Sequence, residues 1–199
     1  MKIILEPEIR DIEERTVAAV SFVGNYIGNP AVFERLFNTL FHFAGPRQLI
    51  QPETVFLSAY YDDPDTTPPE DLFVDVCMTI GPDVVIEADQ NQGEAEGEGK
   101  RKGEGKGKGE FLQGDQDDLP GEIQGGVQKK QLPGGRFLVM RVELNGPEEY
   151  APAWYQLVES AAEQNLELDL SRPGYEIYLN SPNDHPEKHH IVEISLGLK

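Results

Sequence analysis

Two stretches of the chain carry apolar residues at helical spacing, separated by shorter apolar runs. In residues 30–44, Phe33, Leu36 and Leu40 recur every three to four positions, which predicts a helix with one buried face. Asn29 before Pro30 is typical of a helix start. Residues from about 148 to 163 show the same periodicity and predict a second amphipathic helix.

Shorter runs of β-branched and apolar residues flank both predicted helices. They are bounded by Gly, Pro, Asn and Asp, the residues that usually end strands. The sequence LFVDVCMTI also alternates apolar and polar positions, as a strand with two different faces does. The predicted strands are residues 16–23, 54–61, 72–80, 127–131, 136–144, 175–180 and 189–197.

The second half of this pattern repeats the first. YYDDPDTTPPEDLFVDVCMTI aligns with YLNSPNDHPEKHHIVEISLGL, so that Tyr60 matches Tyr178 and Asp75 matches Glu193, each pair 118 residues apart. We therefore expect one α+β domain, residues 1–199, built from two strand–helix–strand–strand modules. They should form one antiparallel sheet with both helices on one face, and the other face should curve away as a central ligand cleft.

The module boundaries follow from a change in composition. The modules span about 1–87 and 119–199, and residues 88–118 are a Gly/Glu/Lys-rich insert with almost nothing to bury. Such a segment cannot offset the entropy lost on ordering, so we expect it to be disordered.

Strand alternation assigns the acidic residues of the two last strands to the cleft. Glu193 lies between Val192 and Ile194, which should pack on a helix, so its carboxylate points the other way. Asp75 holds the matching position in the first module.

Two tyrosines are expected beside these carboxylates. If Ala59 and Ile177 pack inward, Tyr60 and Tyr178 lie on the cleft face. Aromatic faces near a carboxylate suit a planar cationic ligand, through stacking, cation–π attraction and charge pairing. The alternative interpretation is an antiparallel sheet with one face in solvent, where Tyr and Glu are ordinary residues.

Charge and cysteine content exclude several classes of function. The net charge of −19 disfavours direct binding to nucleic acid or to anionic membranes, although such a charge also simply keeps proteins soluble. The chain has no apolar run long enough to span a membrane, and we expect no secretory signal. Its one cysteine supports neither a disulfide framework nor a cysteine zinc site. We expect a cytoplasmic protein without a cofactor.

Three histidines near the C-terminus are candidate metal ligands. His189 and His190 are neighbours in a predicted strand and should point to opposite faces, so they cannot easily share a metal. Together with His185 they are more typical of a solvated polar turn, and no metal site is predicted.

Several segments resemble the GyrI-like small-molecule-binding domains, which also occur as effector-binding domains of AraC-type and MerR-type regulators. The segments are GGRFLVMRVELNGPEEY, YEIYLNSP, PEKHHIVEISL, YYDDPDTTPPEDLFVDVCMTI and GGVQKKQLPGG, and the resemblance spans about residues 3–199 without the insert. It implies a duplicated fold whose cleft binds lipophilic, often cationic compounds.

The resemblance also implies site residues. A glutamate in the final strand matches Glu193, and cleft aromatic residues match Tyr60, Tyr178 and Trp154, although Trp154 also fits a plain core position on its helix. We expect a stand-alone domain that binds hydrophobic or cationic small molecules and is not an enzyme. The alternatives are a hydrolase of electrophilic, cyclopropane-bearing toxins with Glu193 as the catalytic residue, and a gyrase-inhibitor-like protein that binds a protein partner.

Overall fold

The computed structural model describes residues 1–86 and 120–199. The predicted insert, residues 88–118, lies outside the described residues. The predicted α+β class is confirmed: one eight-stranded antiparallel sheet carries two helices. The elements are β1 (Lys2–Ile12), β2 (Arg15–Gly24), α1 (Pro30–Ala44), β3 (Phe56–Tyr60), β4 (Phe73–Thr79), β5 (Gly121–Leu132), β6 (Gly135–Leu144), α2 (Tyr150–Glu163), β7 (Gly174–Tyr178) and β8 (His190–Gly197).

The sheet has the order β1-β6-β8-β7-β3-β4-β2-β5, with the modules β2–α1–β3–β4 and β6–α2–β7–β8 meeting where β3 pairs with β7. The outer strands are exchanged between the modules. β1 leads into β2 but pairs with β6, and β5 leads into β6 but pairs with β2. Each half of the chain therefore completes the sheet of the other.

β1 was not predicted, and β5 was predicted as residues 127–131 only. β1 contains Pro7 and has two register shifts against β6. β5 contains Gly125, whose φ is +68°, and shifts register against β2. Proline, glycine and bulges are common in edge strands, where they weaken the simple alternation that identifies a strand in sequence.

Both helices lie on one face of the sheet, as predicted. α1 has the bounds that its periodicity predicted, with proline in its first turn, and it packs on β2 and β4. α2 packs on β6 and β8. The fully buried residues of the helices are Val32, Leu36, Leu40, Ala44, Ala153, Leu157 and, almost completely, Ala161.

The opposite face is not the predicted cleft. Among the described residues it forms a second hydrophobic core, made of Val17, Ala19, Leu57, Ala59, Cys77, Leu132, Phe137, Val139, Tyr175 and Ile177. The β1–β2 and β5–β6 connections touch, since a Cβ on Gly134 would lie 2.4 Å from the carbonyl oxygen of Ile12. The two connections, which join strands at opposite ends of the sheet order, therefore lie against each other.

Neither helix of the described ranges has the length and apolar character needed to cross a bilayer.

Candidate ligand-binding site

Asp75 lies opposite the helices, as its strand phase predicts, but inside a closed polar cluster. It is fully buried and accepts hydrogen bonds from Ser21 Oγ at 2.7 Å and Tyr61 Oη at 2.7 Å. Lys130 Nζ lies 2.8 Å from both carboxylate oxygens. Since Lys130 belongs to the exchanged strand β5, this ion pair ties the outer strand to the module.

Glu193 is likewise paired with cationic side chains. It is buried, and one of its oxygens accepts from Arg141 Nη2 at 2.8 Å and Arg10 Nη1 at 3.0 Å. Arg141 is its cross-strand partner in β6, and Arg10 comes from the exchanged strand β1. Two guanidinium groups therefore already occupy the place that a cationic ligand was expected to take.

The predicted position of the two tyrosines is wrong. Tyr60 packs with the α1 core and Tyr178 with the α2 core, so both lie on the helix face. Ala59 and Ile177 belong to the core on the other face. The assignment failed because both faces are buried here, so that an apolar residue does not show which face the helices cover.

The structure brings Tyr60, Tyr178 and Trp154 together around an acid that the sequence did not single out. Glu176, on β7, is 3 % exposed. Trp154 Nε1 donates to Oε1 at 2.6 Å, while the hydroxyls of Tyr60 and Tyr178 donate to Oε2 at 2.8 and 3.0 Å. Ser58, the cross-strand partner of Glu176, contacts the Tyr178 hydroxyl at 2.8 Å.

One signal in the sequence could have identified Glu176. It lies between Tyr175 and Ile177 and two positions before Tyr178, so any placement of Tyr178 on a site face places Glu176 there too. Its match 118 residues earlier is Ser58. The duplication therefore puts an acid in one module and a hydroxyl in the other, directly across the central strand pair.

The electrostatics of Glu176 differ from those of the other two acids. Burial raises the pKa of its carboxyl group, and the hydrogen bonds from Trp154, Tyr60 and Tyr178 only partly oppose this. Burial and the nearby Glu176 raise the pKa of both tyrosines well above the ordinary value, so they remain neutral donors.

Aromatic rings from both helices cover this acid. We call Phe33, Phe37, Tyr60, Trp154 and Tyr178 the aromatic seam. Tyr60 meets Trp154 edge-on with ring centroids 5.6 Å apart, and Tyr178 meets Phe37 edge-on at 5.5 Å. Phe33 lies 6.4 Å from Tyr60.

The seam depends on a glycine at its base. A Cβ on Gly174 would lie 2.8 Å from Cη2 of Trp154, so glycine leaves the room in which the indole lies against the sheet. Trp154 is thus more than a core residue of α2, because its ring covers the central strands and its N–H holds Glu176.

A duplicated α+β module with two helices on one face of an eight-stranded antiparallel sheet is the fold of a family of small-molecule-binding domains. The model of the GyrI-like small molecule binding domain matches residues 5–199, and the chain belongs to that family. The resemblance inferred from the sequence is thereby confirmed.

Relatives and solved structures agree with this assignment. The chain is 25% identical over 175 residues to a protein named DNA gyrase inhibitor from Citrobacter rodentium, covering 87% of this chain and 85% of the relative. The crystal structure of the EcmrR C-terminal domain superposes with a TM-score of 0.61 at 10% identity, covering 99% of each chain. The structure of SAV2435 bound to tetraphenylphosphonium superposes with a TM-score of 0.58 at 12% identity, covering 98% of this chain and 94% of that one.

Proposed function

We propose that this domain binds lipophilic organic cations in the aromatic seam, with Glu176 as the counter-ion. The observation that carries the proposal is the set of groups that contact Glu176. It accepts hydrogen bonds from Trp154, Tyr60 and Tyr178, which are neutral donors, whereas the acids on the opposite face are paired with lysine or arginine.

Within the part of the chain that the structure describes, Glu176 has no cationic partner, and a buried carboxylate in that situation favours binding of an organic cation. Removing such a charge from water is costly, and neutral donors recover part of that cost. A ligand cation supplies the missing charge, and its apolar groups contact the aromatic faces, which attract cations through their quadrupoles. SAV2435, which shares this fold, is bound to such a cation, tetraphenylphosphonium.

The hydrogen-bonding groups and the aromatic rings of the seam contribute differently to ligand binding. Tyr60 and Tyr178 fix one carboxylate oxygen and Trp154 fixes the other, so Glu176 is held in place before a ligand arrives. The rings contact one another in this structure, so a ligand enters by parting Phe33 and Phe37 of α1 from the rings of β3, β7 and α2. Apolar contact area then supplies most of the affinity and Glu176 the selectivity for charge.

A pair of probes of matched size and opposite charge tests the proposal. Tetraphenylphosphonium and tetraphenylborate have nearly the same shape, so they differ mainly in the sign of the charge. In calorimetric titrations we expect the phosphonium to bind and the borate to bind at least tenfold more weakly. Equal affinities would show that the site binds apolar groups without selecting the sign of the charge. No binding of the cation would reject the proposal.

The hydrolase alternative can be restated for the same acid. A general acid needs a carboxyl group with a raised pKa, and burial gives Glu176 that property next to two tyrosine hydroxyls. Incubation with a panel of electrophilic cyclopropanes tests this alternative. Turnover that Glu176→Gln abolishes would assign catalysis to this site, whereas cation binding without turnover supports the binding domain.

Gyrase inhibition is the second candidate, because relatives covering most of the chain carry that name. A supercoiling assay with purified DNA gyrase tests it directly. Dose-dependent inhibition by this protein would add a protein partner to its function, and full supercoiling activity at a large molar excess would exclude that role.

A further inference from the structure

Two histidines and a glutamate converge away from the aromatic seam, at the end of the sheet where β6 meets the start of β8. Nδ1 of His189 lies 2.8 Å from Oε1 of Glu143, and Nε2 of His185 lies 3.7 Å from the same oxygen. One potential ligand atom from each residue lies within 4.8 Å of the other two. All three side chains are about one-fifth exposed, so the group is sheltered but open to solvent.

One strand and the loop between β7 and β8 present these groups. Glu143 is on β6 and pairs with Ile191 of β8, two residues after His189. Asn180 fixes the start of β8 by donating to the His189 carbonyl at 3.0 Å and accepting from the Ile191 N–H at 2.7 Å. His185 follows a single 3₁₀ turn, and its ring lies nearly parallel to that of His189, with centroids 5.0 Å apart.

We propose that Glu143, His185 and His189 form a binding site for a divalent transition-metal ion of the zinc class. Imidazole nitrogens with one carboxylate are a donor set that suits Zn²⁺, Ni²⁺ and Cu²⁺, whereas Mg²⁺ and Ca²⁺ prefer oxygen ligands. The ligands are Nδ1 of His189, Nε2 of His185 and Oε1 of Glu143. A water molecule, or the exposed Glu187, whose Oε2 lies 3.8 Å from His189 Nδ1, completes the coordination.

Small side-chain movements suffice to close the site. In a tetrahedral zinc site with bonds of about 2.0 Å, ligand atoms lie about 3.3 Å apart. The separation between His189 and Glu143 must therefore open from 2.8 Å, while the widest separation, at most 4.8 Å, must shorten. The loop between β7 and β8 carries both histidines and can follow this change.

Coordination also changes the hydrogen bonds of His185. In the present structure its Nδ1 accepts the backbone N–H groups of Glu187 and His189, both at 3.3 Å, which leaves the ring proton on Nε2. Coordination through Nε2 moves that proton to Nδ1 and gives up these two long contacts. We therefore expect binding weaker than that of a closed structural zinc site, with a micromolar dissociation constant.

The duplication shows that the fold itself does not require this cluster. Val23 pairs with Phe73 in the first module as Glu143 pairs with Ile191 in the second. At an offset of 118, the equivalents of His185 and His189 are Thr67 and Asp71. The first module thus connects its last two strands without histidines at these positions, and its 3₁₀ turn, Pro69–Asp71, does not align with Pro182–Asp184 at this offset.

The sequence predicts no metal site here, because His189 and His190 are neighbours in a predicted strand. These do point apart, since His190 contacts the Tyr150 hydroxyl at 2.8 Å. The pair that converges is His185 with His189, four residues apart across a turn, and their glutamate partner is more than 40 residues away in the chain.

Zinc titration of tag-free, chelator-stripped full-length protein tests the proposal, with His42→Ala as the matched control. His42 is an exposed histidine on α1. We expect one Zn²⁺ per chain in the wild type and in H42A, and at least tenfold weaker binding in H185A and in H189A. Saturating Zn²⁺ should raise the melting temperature of the wild type by roughly 5 °C, and that of H185A by much less.

Cobalt provides a readout that does not depend on variants. Co²⁺ in a site with imidazole ligands absorbs visible light, so the wild-type protein should develop d–d bands that Zn²⁺ abolishes. The proposal is overturned if the wild type binds no Zn²⁺ at micromolar concentrations. It is also overturned if H42A loses as much affinity as H185A, because Zn²⁺ would then bind non-specifically to surface histidines.

Discussion

Buried acids on the two faces of the sheet have different kinds of hydrogen-bond partner. Opposite the helices, Asp75 is paired with Lys130, and Glu193 with Arg10 and Arg141. Under the helices, Glu176 is held by a tryptophan and two tyrosines, all neutral donors. The first arrangement pairs each acid with a cation, whereas no cationic side chain among the described residues lies within ion-pair distance of Glu176.

The ion pairs on the face opposite the helices follow the pseudo-symmetry of the fold. Arg10 and Lys130 each lie two residues before the end of an exchanged outer strand. They reach Glu193 and Asp75, which match each other at an offset of 118. The ion pairs therefore fasten each outer strand to the module it completes, which is a structural role.

The largest effect is expected from removing the cation beside Asp75. Lys130→Met should lower the free energy of unfolding by about 3 kcal/mol, because it leaves a fully buried carboxylate without its charge partner. Lys129→Met on the same strand should change stability by roughly 0.5 kcal/mol. Urea denaturation followed by circular dichroism measures both variants.

A double variant sharpens this test. Adding Asp75→Asn to Lys130→Met removes the orphaned charge, so part of the lost stability should return. Equal stability of K130M and K129M would show that the ion pair between Lys130 and Asp75 does not contribute to the stability of the fold.

The next largest effect concerns the pH dependence of cation binding at Glu176, on the helix face of the sheet. Since burial raises the pKa of Glu176, this carboxyl group is neutral below that pKa and cannot attract a cation. Affinity for the cation probe should therefore rise as the pH increases through the raised pKa, by up to tenfold per unit on the acid side. Titrations at pH 5, 6, 7 and 8 measure this dependence, with Glu176→Gln as a pH-independent control.

The same raised pKa has a consequence for stability with the opposite sign. The folded chain binds the Glu176 proton more tightly than the unfolded chain, whose carboxyl group has a pKa of about 4.3. This contribution to stability is present at acid pH and is lost as the pH rises through the folded-state pKa. Relative to wild type, Glu176→Gln should therefore gain stability with rising pH. A constant difference would contradict the burial argument.

The smallest effect is expected at the edge of the seam. Trp154→Phe keeps an aromatic ring but removes the N–H that holds one oxygen of Glu176. We expect a loss of about 1 kcal/mol in cation binding, or roughly fivefold in affinity. Calorimetry with Tyr155→Phe, an exposed neighbour on the same helix, as the control should show the difference. A hundredfold loss would instead indicate that the whole seam collapses.

The sequence predicted the local elements well because their signals are local. The bounds of α1, the core strands and the duplication follow from periodicity and from the offset of 118 residues. The exchange of β1 and β5 could not be predicted, because it pairs segments that are far apart in the chain. The partners of Glu193 were missed for the same reason, since Arg10 lies 183 residues away.

The faces of β3 and β7 were assigned wrongly for a different physical reason. Alternation separates the two faces of a strand but does not label them when both are buried. Ile177 was therefore placed under the helices and Tyr178 opposite them, whereas the structure shows the reverse. Because the two faces were interchanged, the sequence predicted Glu193 beside the tyrosines. In the structure the acid beside them is Glu176. A ligand role for Glu193 stays a prediction.

Calorimetric titration of the cation probe into wild type, Glu176→Gln and Glu193→Gln tests the central claim most directly. Each variant removes one negative charge with almost no change in shape, from opposite faces of the same sheet. We predict that Glu176→Gln weakens binding by about 1.5–3 kcal/mol, roughly ten- to a hundredfold, and that Glu193→Gln binds like the wild type. Weakened binding in Glu193→Gln together with unchanged affinity in Glu176→Gln would contradict the account.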